Sequence, residues 1–439
     1  MTFTLLDTHA QTIVPITPVD GDTLRIYFCG PTVYDRLHIG NLRSMMAADI
    51  LVRTARRHYP TLFVRNITDI DDKIINRAAE RNISIQTLTD ATIAQYHADL
   101  EHLRIAMPDI EPRATDYVAE MITMIEQILA HGHAYTANGH VFFDSTTPTD
   151  HIPFARPHDA DGDHQRVEHD YGQRHDSDFV LWKPSADNEP GWDSPWGRGR
   201  PGWHIECSAM THKTLGDSFD IHGGGKDLAF PHHSNEARQC HAAHPHAHHA
   251  KHWMHSGMLN VDGRKMAKST GNTMNLDYLI ERYDADTIRI AFMMTHWHKT
   301  LDFTAQRLHE AEQLRLRLRA AIDPIWTPYS PTDPRALAHA PGLVAMDNNL
   351  NTVDTLQSWL TLSPSEVLEA AQYMGLFHDE PYVGHTSLDE HDIAQYIAER
   401  QAARTAKQWA KADDIRATLL QHGVQLTDHP DGSTTHHII

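Results

Sequence analysis

The chain has 439 residues and is 40% hydrophobic, enough for two or three domains around a large core, and its formal net charge is −20. It holds no apolar run of membrane-spanning length and no basic-then-apolar signal segment at Met1, so neither a membrane nor a secretory role is expected. Three cysteines (Cys29, Cys207 and Cys240) cannot build a disulfide framework, which points to the reducing cytoplasm. The acidic balance argues against a broad nucleic-acid surface and leaves only local basic faces. One is Arg307 to Arg319, with four arginines against two glutamates. The 36 histidines mostly lie outside any ligand spacing and read as compositional bias, which makes the net charge sensitive to mild acid.

From about Leu24 to Pro112 strand-like and helical patterns alternate: a strand at Arg25–Cys29, a helix to about His58, a strand at Leu62–Asn66, then helices from Asp72. That order predicts an α/β fold with a parallel sheet, whose ligands bind at the carboxyl ends of strands, where Cys29 and Thr68 fall. Met121–Ala130 reads as helix and His140–Asp144 as a short strand; the Asp/His-rich stretch Thr146–Gly172 reads as a surface loop in an inserted subdomain. Strand pattern returns at Phe179–Lys183 and again around Phe219–His222, on either side of a Pro/Gly/Trp-rich loop to Pro201. From Thr304 the pattern is helical, with a Pro-rich break at Asp323–Pro341 that reads as a linker, and Ile393–His422 is the last long helical region.

Two separated segments carry the chemistry. Pro31-Thr-Val-Tyr-Asp-Arg-Leu-His-Ile-Gly-Asn41 joins a strand to a helix start, where backbone N–H groups and the positive dipole end favour phosphate. Lys265-Met-Ala-Lys-Ser269 places two lysines three residues apart in a Gly-flanked stretch, suited to a loop that closes cations onto a polyphosphate. Together they resemble the "HIGH" and "KMSKS" signatures of class I aminoacyl-tRNA synthetases. Phe28–Asp35, Arg65–Ile75, Gly202–Met210 and His222–His233 narrow the resemblance to the cysteinyl-tRNA synthetase family, from about Leu24 to about Thr304 and more thinly beyond.

The resemblance implies a Rossmann-like catalytic domain with an inserted subdomain, then an α-helical region and a small terminal domain. The expected division is 1–114 and 201–254 for the two catalytic halves, 115–200 for the insertion and 255–304 for the lysine loop and stem-contact region. An anticodon-side helical domain at 305–392 and a terminal domain at 393–439 complete it. It implies one zinc ion on Cys29, Cys207, His232 and Glu236. The last two are four residues apart, which puts both side chains on one helix face behind Pro231. Spacing alone leaves open that the cysteines are core residues and His232 and Glu236 a surface pair.

The implied reaction joins L-cysteine to tRNA(Cys) through a cysteinyl-adenylate, with ATP and Mg2+, in a cytoplasmic monomer without a membrane partner. His38, Asn41, Lys265 and Lys268 are the expected catalytic residues. Gly40, His222, Gly223, Gly224, Asp227 and Lys268 would bind ATP, and Thr68 and Trp203 would line the cysteine pocket. No protein general base is assigned, because such transfer needs in-line positioning and charge neutralisation. The chain departs from the family pattern at Asn41 (usually histidine), Ala267 (serine) and Ser234 (glutamate), and it ends Ser433-Thr-Thr-His-His-Ile-Ile439 where aromatic and basic residues are usual. Two other readings stay open: a cysteine ligase acting on an amino sugar, as in the mycothiol pathway, and a weakly active synthetase-like paralogue.

Overall fold

The computed structural model describes residues 2–147, 153–154, 172–247, 249–265, 274–380, 388–422, 424–428 and 433–438. A hairpin of β1 (Thr4–Asp7) and β2 (Thr12–Pro15) leads into β3 (Leu24–Phe28), every residue of which is buried except Arg25. Near-continuous apolar runs of this kind belong to parallel sheets covered on both faces. Helix α1 (Ile39–His58) follows, burying Ile39, Leu42, Met45, Met46 and Ile50, and β4 (Thr61–Arg65) returns parallel to β3. The helices α2 (Asp72–Arg81) and α3 (Ile85–His102) start at Asp71 and Ser84, whose side chains accept hydrogen bonds from Lys73 and Thr87 amides.

The insertion contains α4 (Val118–Ala130) and the antiparallel sheet β5 (Ala134–Ala137), β6 (His140–Phe143), β7 (Phe179–Pro184) and β8 (Gly199–Pro201), in that order. The parallel sheet resumes through α5 (Trp203–Leu215), β9 (Ser218–Gly225), α6 (Ser234–Ala243) and β10 (His249–Ser256). Its order is β10-β9-β3-β4, all parallel. The chain winds outward from β3 to β4 and, in the other direction, from β9 to β10. The switch point therefore lies between β3 and β9, and the crevice beyond their carboxyl ends is where ligands bind in such sheets. Cys29 and Gly223–Gly225 stand at that crevice.

A small sheet of β11 (Leu259–Val261), β12 (Arg264–Lys265) and β13 (Leu301–Phe303) flanks α7 (Leu276–Ile280) and α8 (Ala285–Met293). Next come α9 (Ala305–Ile322), α10 (Thr352–Ser358) and α11 (Pro364–Tyr373). In the Pro-rich segment expected as a linker, 326–333 is irregular, but 3-10 turns flank it at Asp323–Ile325, Pro334–Leu337 and Pro341–Asp347. The last two are held by Arg57 of α1, which donates to the carbonyls of Leu337 and Leu343 at 3.1 and 3.0 Å. A buried pair ties α8 to α1: Arg289 reaches Asp49 at 2.6 Å, and both side chains are fully buried.

The chain forms two compact units, residues 1–325 with 329–378, and 326–328 with 379–439. In the second unit the last helical region comprises two helices, α12 (Glu390–Thr405) and α13 (Trp409–Gln421), followed by the hairpin β14 (Val424–Asp428) and β15 (Thr434–Ile438). The break falls at Lys407, which takes a left-handed φ of 58° without the glycine that usually announces such a stop.

Candidate metal centre and nucleotide site

Cys29 follows β3, Cys207 lies on α5, His232 stands just before α6 and Glu236 lies on it; the fold brings these three distant segments together. One ligand atom from each of the four lies within 4.8 Å of the others, and all four residues are buried. The two Sγ atoms are 3.8 Å apart and unbridged, and Cys29 Sγ lies 3.8 Å from Glu236 Oε1. His232 Nε2 reaches Glu236 Oε1 at 3.0 Å, while its Nδ1 meets His204 Nδ1 at 2.9 Å. His204 thus fixes the ring from behind, as partners of metal-ligating histidines do. Pro231 opens the helical stretch that runs on into α6, as its position predicts: Phe230 before it is extended (φ −142°, ψ 132°), while His233 and Ser234 after it are right-handed helical.

The electrostatics favour a cation. Burial would raise the Glu236 carboxyl, but His222 and His232 overcome it and hold it well below the usual range. Burial also opposes charge on His232, yet Glu236 and Cys207 push that imidazole up. Burial and the neighbouring Cys207 drive the Cys29 thiol well up, whereas the Cys29 hydrogen bond holds Cys207 down. Two thiols and a carboxylate in one dry pocket repel one another as they ionise. A divalent ion relieves that repulsion, and a Cys2HisGlu set suits zinc. A second group of donors, His222 and His233, shares Cys29 and Glu236 and also lies within 4.8 Å.

Thr68 and Trp203, the residues expected to line the cysteine pocket, lie at the same crevice. Thr68 is buried beside Thr32, with which it forms a parallel bridge beyond the strand ends, and its hydroxyl donates to Glu206 Oε2 at 3.1 Å. Trp203 stacks on His232 with ring centroids 4.2 Å apart. Gly30 is obligatory: a Cβ there would sit 1.6 Å from the Asn66 carbonyl oxygen.

At the end of the crevice where nucleotide is expected, His38 caps α1 and Asn41 completes a capping box. His38 Nδ1 accepts from the Asn41 amide at 3.2 Å, and Asn41 Oδ1 accepts from the His38 amide at 3.1 Å. The family's histidine is thus replaced by a side chain that secures the helix start. With Nδ1 accepting, the neutral His38 ring carries its proton on Nε2, an assignment made from the hydrogen bonds. Gly40 lies in the first turn of α1, and His38 pairs with Asn275 in an antiparallel bridge, beside the Ile39 amide bond to the Met274 carbonyl.

His222 is fully buried, and its Nε2 meets Glu236 Oε2 at 3.0 Å. A Cβ on Gly223 would lie 2.1 Å from the Phe28 ring, so β9 can pack here only as glycine. Gly224 is buried and Asp227 is exposed just beyond. Lys265 ends β12, and Ala267 and Lys268 lie outside the described residues.

Sequence reasoning missed four neighbours: Glu206, His204, His233 and His255. Glu206 is buried, and burial pushes its carboxyl well up. His233 Nδ1 meets His255 Nε2 at 2.7 Å, and His255 Nδ1 meets Thr8 Oγ1 at 2.6 Å. An acid next to Cys207 in an apolar stretch was a signal for Glu206; a contact from β10 to β1 leaves none.

The family described as tRNA synthetases class I (C) catalytic domain matches residues 15–313. A cysteine–tRNA ligase of Gluconobacter oxydans is 44% identical, covering 98% of this chain and 97% of that relative. One of Granulibacter bethesdensis is also 44% identical, covering 96% and 92%. Among solved structures, Mycobacterium tuberculosis methionyl-tRNA synthetase in complex with methionyl-adenylate superposes with a TM-score of 0.56 at 15% identity, over 91% of this chain and 89% of that one, a likeness of fold. The capped helix, the switch-point crevice and these relatives agree: the chain belongs to the cysteine–tRNA ligase family of class I aminoacyl-tRNA synthetases.

Proposed function

We propose that this chain activates L-cysteine with ATP and Mg2+ and transfers it to the 3′ end of tRNA(Cys). The observation that carries the reading is the convergence of Cys29, Cys207, His232 and Glu236 beside Thr68 and Trp203, at the carboxyl ends of a parallel sheet. The cysteine carboxylate attacks the α-phosphorus of ATP; the new P–O bond forms as the bond to pyrophosphate breaks. A hydroxyl of the terminal adenosine then attacks the adenylate carbonyl, and AMP leaves.

Each residue has a part. His38 donates from Nε2 to a phosphate oxygen, held by the Asn41 capping box, and the first-turn amides around Gly40 face the same charge. Lys265 and Lys268 balance the charge that develops on pyrophosphate. Gly223 and Gly224 let the adenosine approach the β9 backbone, with His222 and Asp227 at the border of that pocket. Thr68 and Trp203 bound the side chain of cysteine. Cys29, Cys207, His232 and Glu236 hold one zinc ion, which when bound supplies a soft Lewis acid that prefers a thiolate to a hydroxyl.

Size alone separates cysteine from serine weakly, so this chemistry removes the need for an editing site. The assignments 1–114, 115–200, 201–254, 255–304, 305–392 and 393–439 describe how catalysis, insertion and tRNA contact divide along the chain. We place the protein in the cytoplasm as a monomer. Three buried, unbridged cysteines support the compartment, and no helix among the described residues is long and apolar enough to cross a membrane.

The test is cysteine-dependent ATP–pyrophosphate exchange in zinc-loaded protein, with serine as competitor, followed by charging of tRNA(Cys). Exchange with cysteine should exceed that with serine by far more than the roughly 10–200-fold that pocket size gives. A ratio within that range sinks the metal-discrimination mechanism. Exchange without charging would turn the reading toward an amino-sugar acceptor.

A further inference from the structure

A third donor group lies away from the crevice. His212 is in the last turn of α5, Asp217 follows the turn at Gly216, and His244 caps the end of α6. One ligand atom from each lies within 4.8 Å of the others. His212 Nδ1 is 3.1 Å from Asp217 Oδ1, and the His212 and His244 rings lie parallel at 4.0 Å, 11° apart. His244 Nε2 is buried and has no hydrogen-bond partner among the described residues, although its ring is only half-buried. A polar nitrogen left this way needs a partner that the described residues do not supply.

From these residues we infer a second metal site: His212, Asp217 and His244 bind a divalent transition ion of the imidazole-preferring kind, with zinc as the natural occupant. Two imidazoles and one carboxylate, with open positions for water, match that chemistry. The site is separate from the first. His212 is five residues beyond Cys207 on α5, about 7.5 Å along the axis, and His244 is eight beyond Glu236, about 12 Å. The ion would clip together the carboxyl-terminal ends of the two helices whose earlier turns carry Cys207 and Glu236. Only His244 of the run His241–His249 belongs to the trio, so the run's density of histidine does not by itself make the site.

The experiment is equilibrium dialysis of the full chain at chelator-buffered free zinc, with bound metal counted per chain. Wild type should hold one more zinc than His212→Gln or His244→Gln. Asp217→Asn should bind that extra ion at least tenfold more weakly. Because the readout is a difference of one ion, it stands whether or not the first site holds zinc. His246→Gln, an exposed member of the same run outside the trio, should match wild type. Cysteine-dependent exchange should stay within about twofold in all four variants, since none touches the crevice. Equal zinc in wild type and His212→Gln, or loss of the extra ion in His246→Gln, overturns the site. Asp217 is 66% exposed, so its variant keeps the test decisive should a histidine variant misfold.

Discussion

Around Glu236 every donor is buried and each has a polar or thiol neighbour within 3.8 Å, whereas the terminal unit relies on Arg400 and Arg404 gripping Asp428, a side chain 29% exposed. The apolar support differs in the same way. The crevice rests on a cluster running from Tyr27 and Cys29 to Met210, Phe219 and Trp253, while the terminal unit has Ile393, Ile415, Leu419, Val424 and Leu426. Where water is excluded, removing one partner strands the others at full desolvation cost; where water can enter, it replaces what was lost. The two regions should therefore answer single substitutions on very different scales.

The largest effect should come from Cys207→Ser. It removes one of two soft donors from a dry pocket, so zinc content should fall and cysteine-dependent exchange should drop by more than about 100-fold. Metal analysis and exchange on the same preparation check this; a variant that keeps both would place the metal elsewhere, for instance on His222 and His233. Next is Asp49→Asn, the same buried logic away from the crevice. Asp49 is held ionised against burial by Arg53 and Arg289, and Arg289 is itself fully buried. Leaving that guanidinium unpaired should cost about 3–5 kcal/mol in chemical denaturation.

Lys268→Ala sharpens the comparison from the other side. A cation matters without regard to burial if its charge is used as pyrophosphate leaves. Exchange should slow about 100-fold with the KM for cysteine and the melting temperature nearly unchanged. A parallel rise in KM would assign Lys268 to ground-state binding instead.

What could be read from the sequence follows the same division. Alternating strand and helix patterns located β3, α1, β4 and β9 because each buries a continuous apolar face, and the family resemblance named the four residues that converge as a candidate metal set. Their convergence was not in the spacing: it depends on the β10-β9-β3-β4 order, which brings β3 beside β9 across nearly 200 residues. His204 and His255 were illegible for that reason. So was the break at Lys407, where a non-glycine residue takes φ 58°. The departure at Asn41 was legible, but its part in the capping box at the helix start was not. The Arg65 guanidinium is buried against the Phe63 and Tyr96 rings, 5.5 and 5.6 Å from their centroids.

The smallest effect should be Asp428→Asn. The hydrogen bonds from Arg400 hold the Asp428 carboxyl below its usual range despite partial burial, with Thr434 and Arg404 adding to them. A depressed folded value means the unfolded state binds the proton more readily. The pair's stabilisation is then complete above the unfolded carboxyl value of about 3.9 and fades as pH falls through the lower folded value. Because the site is partly open to water, the charge should contribute only about 1 kcal/mol at neutral pH, and less in high salt. Hydrogen exchange of the α12 and β14 amides in the full chain, wild type against variant, reads it directly. The gap between them should hold from pH 7 to about 4 and narrow below that. A gap that ignores both salt and pH would mean that Asp428 works through its hydrogen bond with Thr434, and that even this exposed corner is organised by geometry more than by charge.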